Sequence, residues 1–82
     1  MYQIVIFRSA QKALSHLPDD VYLKVCEKIR HLSLNPRPFG CKKLIARPAW
    51  RIRVGDYRVI YEISDRGRTV TIIHVGHRRD VY

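Results

Sequence analysis

The stretch that decides the fold is Trp50-Arg51-Ile52-Arg53-Val54-Gly55-Asp56-Tyr57-Arg58-Val59-Ile60-Tyr61. Apolar residues alternate with arginine from Trp50 to Val54, which predicts a strand with one apolar and one cationic face. Gly55-Asp56 suits a two-residue type II′ hairpin turn, because glycine accepts a positive φ at the first loop position. If Val54 pairs with Tyr57, Arg53 faces Arg58 on the cationic side. Like charges directly opposite each other destabilise a sheet, so this pair indicates a surface that binds an anion.

A further turn and a final long strand follow this hairpin. We predict strand 57–63, a turn over Ser64-Asp65-Arg66-Gly67-Arg68 and strand 69–76. If Ile63 pairs with Val70, alternation gives an open, cationic face made of Arg51, Arg53, Arg58, Ile60, Ile73, Val75 and His77. The buried face then consists of Tyr57, Val59, Tyr61, Ile63, Val70 and Ile72, and His74 is predicted to be a core histidine. A change of one residue in the second loop would exchange the two faces of the last strand.

The chain before the hairpin predicts one strand and two helices. Residues 2–7 alternate as a strand, and Ser9 is a candidate N-cap for a short apolar-striped helix. The acids Asp19 and Asp20 favour the start of a second helix, whose stripe is Val21, Val25, Ile29 and Leu32. Asn35 before proline ends this helix. Residues 36–49 form a connection, in which 42–45 are a candidate short strand.

The order β-α-α-β-β-β predicts an α+β fold. We expect a mostly antiparallel, twisted sheet with a helical hairpin packed on one face and the other face open. The 82 residues correspond to a single domain, 1–82, and a hydrophobic content of 46% is enough for a folded core.

Positive charge is concentrated in the half of the chain that contains the hairpin. The formal net charge is +9; residues 36–82 hold eleven Lys and Arg against four acids, and residues 1–35 hold five against three. We therefore expect a polyanionic partner, either nucleic acid or an acidic protein that competes with it. A membrane partner is disfavoured, because the basic half reads as strands rather than as an amphipathic helix. With no apolar run of spanning length and no signal-peptide pattern, we expect a cytoplasmic protein.

The cysteines and acids give no indication of a metal or cofactor site. Cys26 and Cys41 are predicted to be reduced thiols, and neither lies in the paired Cys/His spacing of a zinc site. The acids show no paired spacing that suggests hydrolysis by two carboxylates. We expect no metal and no cofactor.

The hairpin, together with the closing Val75-Gly76-His77-Arg78-Arg79-Asp80-Val81-Tyr82, resembles the RelE toxins of the RelE/ParE toxin–antitoxin superfamily. Lys42-Lys43-Leu44 ahead of the Trp50 strand is also typical, and the resemblance covers essentially the whole chain. It implies a RelE-like, microbial-RNase-like fold and a metal-independent endoribonuclease that cuts mRNA in the ribosomal A site and inhibits translation. In this chemistry the 2′-hydroxyl attacks the adjacent phosphate in line, leaving a cyclic phosphate and a free 5′-hydroxyl. The resemblance also implies an acidic, RelB-like antitoxin as partner.

The same resemblance suggests catalytic roles for the residues of both motifs. Arg58 falls at the arginine of the family's Tyr-Arg-x-x-Tyr strand, Arg78 at the arginine after Val-Gly-x, and Tyr82 at the terminal tyrosine. We predict that Tyr82 is the general base and that Arg78 protonates the leaving oxygen. His77 is the alternative base, with an unperturbed pKa of about 6.5 and a predicted position on the cationic face.

Two further arginines depart from the family pattern. Arg51 and Arg53 replace lysines of the best-known member, and since arginine keeps its proton in proteins, neither can be a general base. We predict that both act on phosphate through their charge. Contacts with RNA or the ribosome are predicted for Lys42, Lys43, Arg47 and Arg79.

Two other functions fit the same sequence. One is a ParE-like inhibitor of DNA gyrase without nuclease activity, and the other is a non-catalytic basic RNA-binding module. A gyrase inhibitor has no chemical need for the set Arg58, Arg78 and Tyr82. In an RNA-binding module, Arg58→Ala and Lys42→Ala would weaken function alike.

Overall fold

Two helices pack on one face of a five-stranded sheet. In the computed structural model, which describes residues 1–77 and 79, the elements are β1 (Gln3–Ile6), α1 (Arg8–Ser15), α2 (Asp19–His31), β2 (Lys42–Lys43), β3 (Trp50–Val54), β4 (Tyr57–Ser64) and β5 (Thr69–His77). The strand order is β1-β5-β4-β3-β2, with β1 parallel to β5 and the other neighbours antiparallel. The predicted α+β fold is confirmed, and the candidate short strand at 42–45 is present as the two-residue edge strand β2.

The β3–β4 hairpin has the predicted register. Val54 pairs with Tyr57, and Arg53 lies directly opposite Arg58. Gly55 has a φ of +61°, the positive value that the first position of a type II′ turn requires. The hairpin therefore brings two cationic side chains together on the face away from the helices.

A β-bulge in β5 overturns part of the predicted face assignment. Ile63 pairs with Val70 as predicted, but the register shifts so that Tyr61 pairs with Ile72 and Ile60 with His74. Ile73 is thus an additional residue, and every later side chain of β5 changes face.

The bulge makes three predicted positions on β5 wrong. Val75 pairs with Val59 and is buried in the core, and His77 pairs with Tyr57 on the same side. His74, predicted to be a core residue, is exposed on the open face. The cause is the bulge within the strand, since the second turn leaves the Ile63–Val70 pair as predicted.

The core lies between the helices and the inner face of the sheet. Its buried members are Ala10, Leu14, Val25, Ile29, Leu32, Ile52, Val54, Val59, Tyr61, Val70, Ile72 and Val75. The buried hydroxyl of Tyr61 donates a hydrogen bond of 2.7 Å to the carbonyl of Pro36, which fixes the connection after α2 against β4. Burial raises the pKa of Tyr61, so this hydroxyl keeps its proton and remains a donor.

Helix α1 begins without the predicted serine cap. Phe7 occupies the N-cap position, no side chain caps the helix, and Ser9 lies inside its first turn. The chain passes almost directly from β1 into α1, because the backbone N–H of Phe7 still donates to the carbonyl of Ile72 on β5. Helix α2 begins at Asp19, as its two acids predict. No helix in the described part of the chain is long and apolar enough to cross a membrane.

A polar cluster joins the second turn to the connection after α2. The terminal nitrogens Nη1 and Nη2 of Arg37 donate to the carboxylate of Asp65, at 3.1 and 2.9 Å, and the Tyr2 hydroxyl donates to Asp65 Oδ1 at 2.7 Å. These donors lower the pKa of Asp65 to about 2. The Arg37 guanidinium also lies 5.1 Å from the ring centroid of Trp50.

Candidate functional site

Strand pairing arranges the basic residues of the open face in two rows. The hairpin row is Arg53, Arg58 and Gly76, which are paired across β3, β4 and β5. The groove row is Lys42, Arg51, Ile60 and His74, which are paired in the same way from β2 to β5. The rows are separated by two residues along each strand, a distance of about 7 Å.

The hairpin row places two arginines beside a small cavity. Arg53 is exposed, whereas Arg58 is half-buried and its Nε atom is buried. Both side chains line a small cavity of about 60 Å³ together with Gly55 and Asp56. A guanidinium can bind two oxygens of a phosphate through two of its nitrogens, so two arginines beside one cavity suit a phosphate.

The groove row lies in a larger cavity between β2, the segment after it and the bulge. Its volume is about 790 Å³, and it is lined by Phe7, Lys42, Lys43, Leu44, Ile45, Ala46, Arg47, Arg51, Ile60, Ile73 and His74. None of these lining residues, all within the described part of the chain, is acidic. Arg51 is only 5% exposed, so its charge lies within the face rather than on a solvated rim.

Comparison with known proteins identifies the family to which this chain belongs. Residues 4–82 match the family model described as the ParE toxin of the type II toxin–antitoxin system parDE. The chain belongs to the RelE/ParE family of type II toxins. It is 31% identical to Toxin RelG of Mycobacterium tuberculosis over 84 residues, which cover 99% of this chain and 95% of that protein.

Solved structures of this family share the fold of this toxin. The archaeal RelE–RelB complex from Pyrococcus horikoshii matches with a TM-score of 0.85 and 30% identity, covering 98% of both chains. The intact E. coli RelBE complex matches with a TM-score of 0.83 and 25% identity, covering 94% of this chain and 96% of that chain. The predicted resemblance to the RelE toxins is confirmed.

The structure brings most of the described site residues of this toxin together. Arg51, Arg53 and Arg58 share the open face as predicted. Lys42, Lys43 and Arg47 line the groove, and Arg79 is exposed. Arg78 and Tyr82 lie outside the described residues. The chemical roles of all these side chains stay predictions.

The predicted position of His77 on the cationic face is wrong. Because of the bulge, its ring packs edge-on against Tyr57, with ring centroids 5.3 Å apart, on the side of the sheet that carries the helices. Its Nδ1 accepts a hydrogen bond of 3.3 Å from the backbone N–H of Arg79. This position removes the geometric argument for His77 as the alternative base.

The histidine on the cationic face is His74, which sequence reasoning missed. It lines the groove with Arg51 and is exposed. No residue type marks the bulge in the sequence. The available signal was the polar side chain of His74 itself, at a position that alternation assigned to the core.

The chemistry that these described side chains offer is electrostatic. Arginines fixed on a sheet can bind phosphate and stabilise added negative charge without reorganising during the reaction. Across residues 1–77 and 79, His, Cys, Asp and Glu side chains form no group of three or more that could hold a metal ion.

Proposed function

We propose that this toxin is a ribosome-dependent endoribonuclease that cleaves mRNA in the A site and thereby inhibits translation. The observation that carries the proposal is the convergence of Arg51, Arg53 and Arg58 on one open face, with Arg53 directly opposite Arg58. Like charges placed directly opposite each other on a sheet repel, and an anion bound between them reduces that repulsion. The arrangement therefore fits a face that binds the phosphates of RNA.

In the proposed reaction the 2′-hydroxyl of one nucleotide attacks the adjacent phosphate in line. Arg53 and Arg58 bind the phosphate oxygens and stabilise the charge that accumulates as the new bond forms, and Arg51 adds positive charge from the groove row. Because the attacking group belongs to the RNA itself, positioning supplies much of the acceleration. The products are a cyclic phosphate and a 5′-hydroxyl.

Proton transfer is assigned to the closing residues of the chain. Tyr82 is the proposed general base for the 2′-hydroxyl. Arg78, predicted to act on the leaving oxygen, donates a hydrogen bond to it while keeping its own proton, and the leaving oxygen takes its proton from water. Neighbouring arginines favour the phenolate form of a tyrosine, which makes it a more effective base near neutral pH. His77 is the weaker alternative, because its ring packs on Tyr57.

The other basic residues are proposed to contact RNA or the ribosome. Lys42, Lys43, Arg47 and Arg79 are exposed, which suits salt-dependent contacts that do not depend on sequence. An acidic, RelB-like antitoxin is the proposed inhibitor, and the RelE-like neighbour from P. horikoshii was solved in complex with RelB. The proposed location of toxin, ribosome and antitoxin is the cytoplasm.

The second candidate is a ParE-like inhibitor of DNA gyrase, and the match to the ParE family model favours it. It differs from the first candidate in having no RNA chemistry. A non-catalytic basic RNA-binding module is the third reading, and it predicts that total charge matters more than any one arginine.

Primer extension on mRNA from a translation reaction that contains the purified toxin separates the candidates. The nuclease gives new 5′ ends within the codons of stalled ribosomes, and omission of ribosomes abolishes them. Intact mRNA together with accumulating gyrase-cleaved DNA would replace the proposal with the ParE-like function.

A further inference from the structure

We propose that the groove row contains a base-binding subsite, formed by Ile60, Ile73 and His74, that holds one unpaired RNA base beside the phosphate on the hairpin row. This inference rests on the proposed nuclease function and extends it from the phosphate to the base. It gives the β-bulge a role, because the bulge brings His74 to the open face.

The subsite has an apolar floor and a polar aromatic end. Ile60 lies directly opposite His74, and Ile73 beside it also lines the groove. Phe7 forms a further wall, and its backbone N–H donates to Ile72 on β5 at 2.9 Å, which fixes it next to the bulge. Aromatic and apolar side chains bind bases through their flat faces, whichever base is present.

The charges around this floor fit a ligand with a phosphate backbone. Lys42 and Arg51 continue the groove row on one side, and Lys43 and Arg47 line the same cavity. The hairpin row lies about 7 Å away along the strands. A nucleotide whose phosphate binds the hairpin row can therefore direct its base over Ile60 and Ile73.

The charges of the cavity favour a nucleotide as its occupant. The apolar lining, which includes Phe7, Leu44, Ile45, Ile60 and Ile73, is accompanied by Lys42, Lys43, Arg47 and Arg51 and by no acid. Basic side chains around apolar and aromatic ones match a base together with its neighbouring phosphates. The subsite is accordingly assigned to single-stranded RNA, and protein binding is an outcome that the test must distinguish.

The test is an NMR titration of the full-length toxin with two uncleavable RNA trinucleotides. Both are 2′-O-methylated, which blocks the attacking oxygen, and one lacks a single base while retaining every phosphate. For the wild-type protein we expect the abasic trinucleotide to bind roughly tenfold more weakly, which is about 1.4 kcal/mol and lies within the range for one stacked base. The methyl signals of Ile60 and Ile73 should shift only with the intact trinucleotide.

Variants of two histidines make the comparison specific. In His74→Ala the difference between the two trinucleotides should fall to less than threefold, and in His74→Phe it should return, because phenylalanine restores an aromatic face. His16→Ala, which removes an exposed histidine just after α1, should leave the difference unchanged. The same fold in His74→Phe and the wild type, checked by backbone amide shifts, excludes a general structural effect.

Three results would overturn the subsite. One is equal binding of both trinucleotides by the wild type, and another is a base effect that persists in His74→Ala. The third is that RNA affinity does not depend on the base, while His74→Ala binds the antitoxin more weakly than the wild type. This result would assign the groove to a protein ligand. In each case RNA cleavage on the ribosome could persist, so failure of the subsite is distinguishable from failure of the nuclease proposal.

Discussion

Replacing Arg53 and Arg58 by glutamine, singly and together, measures the repulsion that the hairpin row builds into the free toxin. The two residues lie directly opposite on β3 and β4. Each single change relieves the repulsion, and the second change relieves nothing further. The cycle isolates the pair, because it cancels what each arginine contributes through its other contacts.

The magnitude follows from the pairing distance. Side chains directly opposite on antiparallel strands have Cβ atoms about 5 Å apart. For guanidinium groups ~6 Å apart, Coulomb's law in water gives about 0.7 kcal/mol, and the partial burial of Arg58 increases this repulsion. We therefore expect the change in the free energy of unfolding of the double variant to differ by about 0.2–1 kcal/mol from the sum of the two single-variant changes. The sign should be that of a repulsive pair, because either single change already removes the repulsion.

Urea unfolding of the four proteins provides the measurement, at low salt and at 1 M NaCl. Salt at 1 M reduces the screening length to about 3 Å, so the coupling should largely vanish. Arg53→Gln combined with Arg66→Gln is the matched control, because Arg66 lies in the turn at the other end of β4, and the two effects should add. An attractive coupling between Arg53 and Arg58, or one that 1 M salt leaves intact, would refute the account of a strained anion site.

Three further predictions concern the scaffold that carries this site. Tyr61→Phe should lower the free energy of unfolding by about 1–3 kcal/mol, since it leaves the buried Pro36 carbonyl without its donor, whereas Tyr22→Phe at an exposed position should change it by less than ~0.5 kcal/mol. The pKa of Asp65 is lowered to about 2 from its usual 3.8, so its pairing stabilises the protein above pH ~4 and is lost as the pH falls toward 2. The stability deficit of Asp65→Asn should therefore shrink between pH 5 and pH 2.5 in thermal unfolding, and a constant deficit would contradict the pairing. Gly55→Ala should lower the free energy of unfolding by about 1–2 kcal/mol, because alanine disfavours the positive φ at this position, and Gly55→Asn should lower it by less. Calorimetry that shows equal losses for the two variants would count against the turn assignment.

The hairpin was predictable because its signals are local. Alternation from Trp50 to Val54 and glycine at position 55 determine both the turn and the Arg53–Arg58 pair, and each depends on neighbours only a few residues away. The stripe of α2 and its acidic start are local in the same way. The Ser9 cap failed because hydrogen bonding of Phe7 to β5, a contact distant in sequence, fixes where α1 begins.

The composition of the site was less predictable on the last strand than on the hairpin. Strict alternation assigned His77 to the cationic face and His74 to the core, and one additional residue at the bulge reversed both. Bulges are decided by how two distant strands fit together, so the residues near Ile73 carry no pattern that announces one. The arginines lie on β3 and β4, which pair with each other without a bulge, so alternation assigned them to the correct face.

If individual arginines of the open face perform chemistry on mRNA, the rate of mRNA cleavage on programmed ribosomes depends on which basic residue is removed. Single-turnover cleavage should be slowed at least a hundredfold by Arg58→Ala, since removing one donor to a developing charge costs about 10²–10³ in rate. Lys42→Ala, which removes an exposed charge from the rim of the groove, should slow cleavage less than tenfold. Added salt should change the rate loss caused by Lys42→Ala more than the rate loss caused by Arg58→Ala. Equal, small losses from the two substitutions, or wild-type protein that leaves the mRNA intact, would contradict the account.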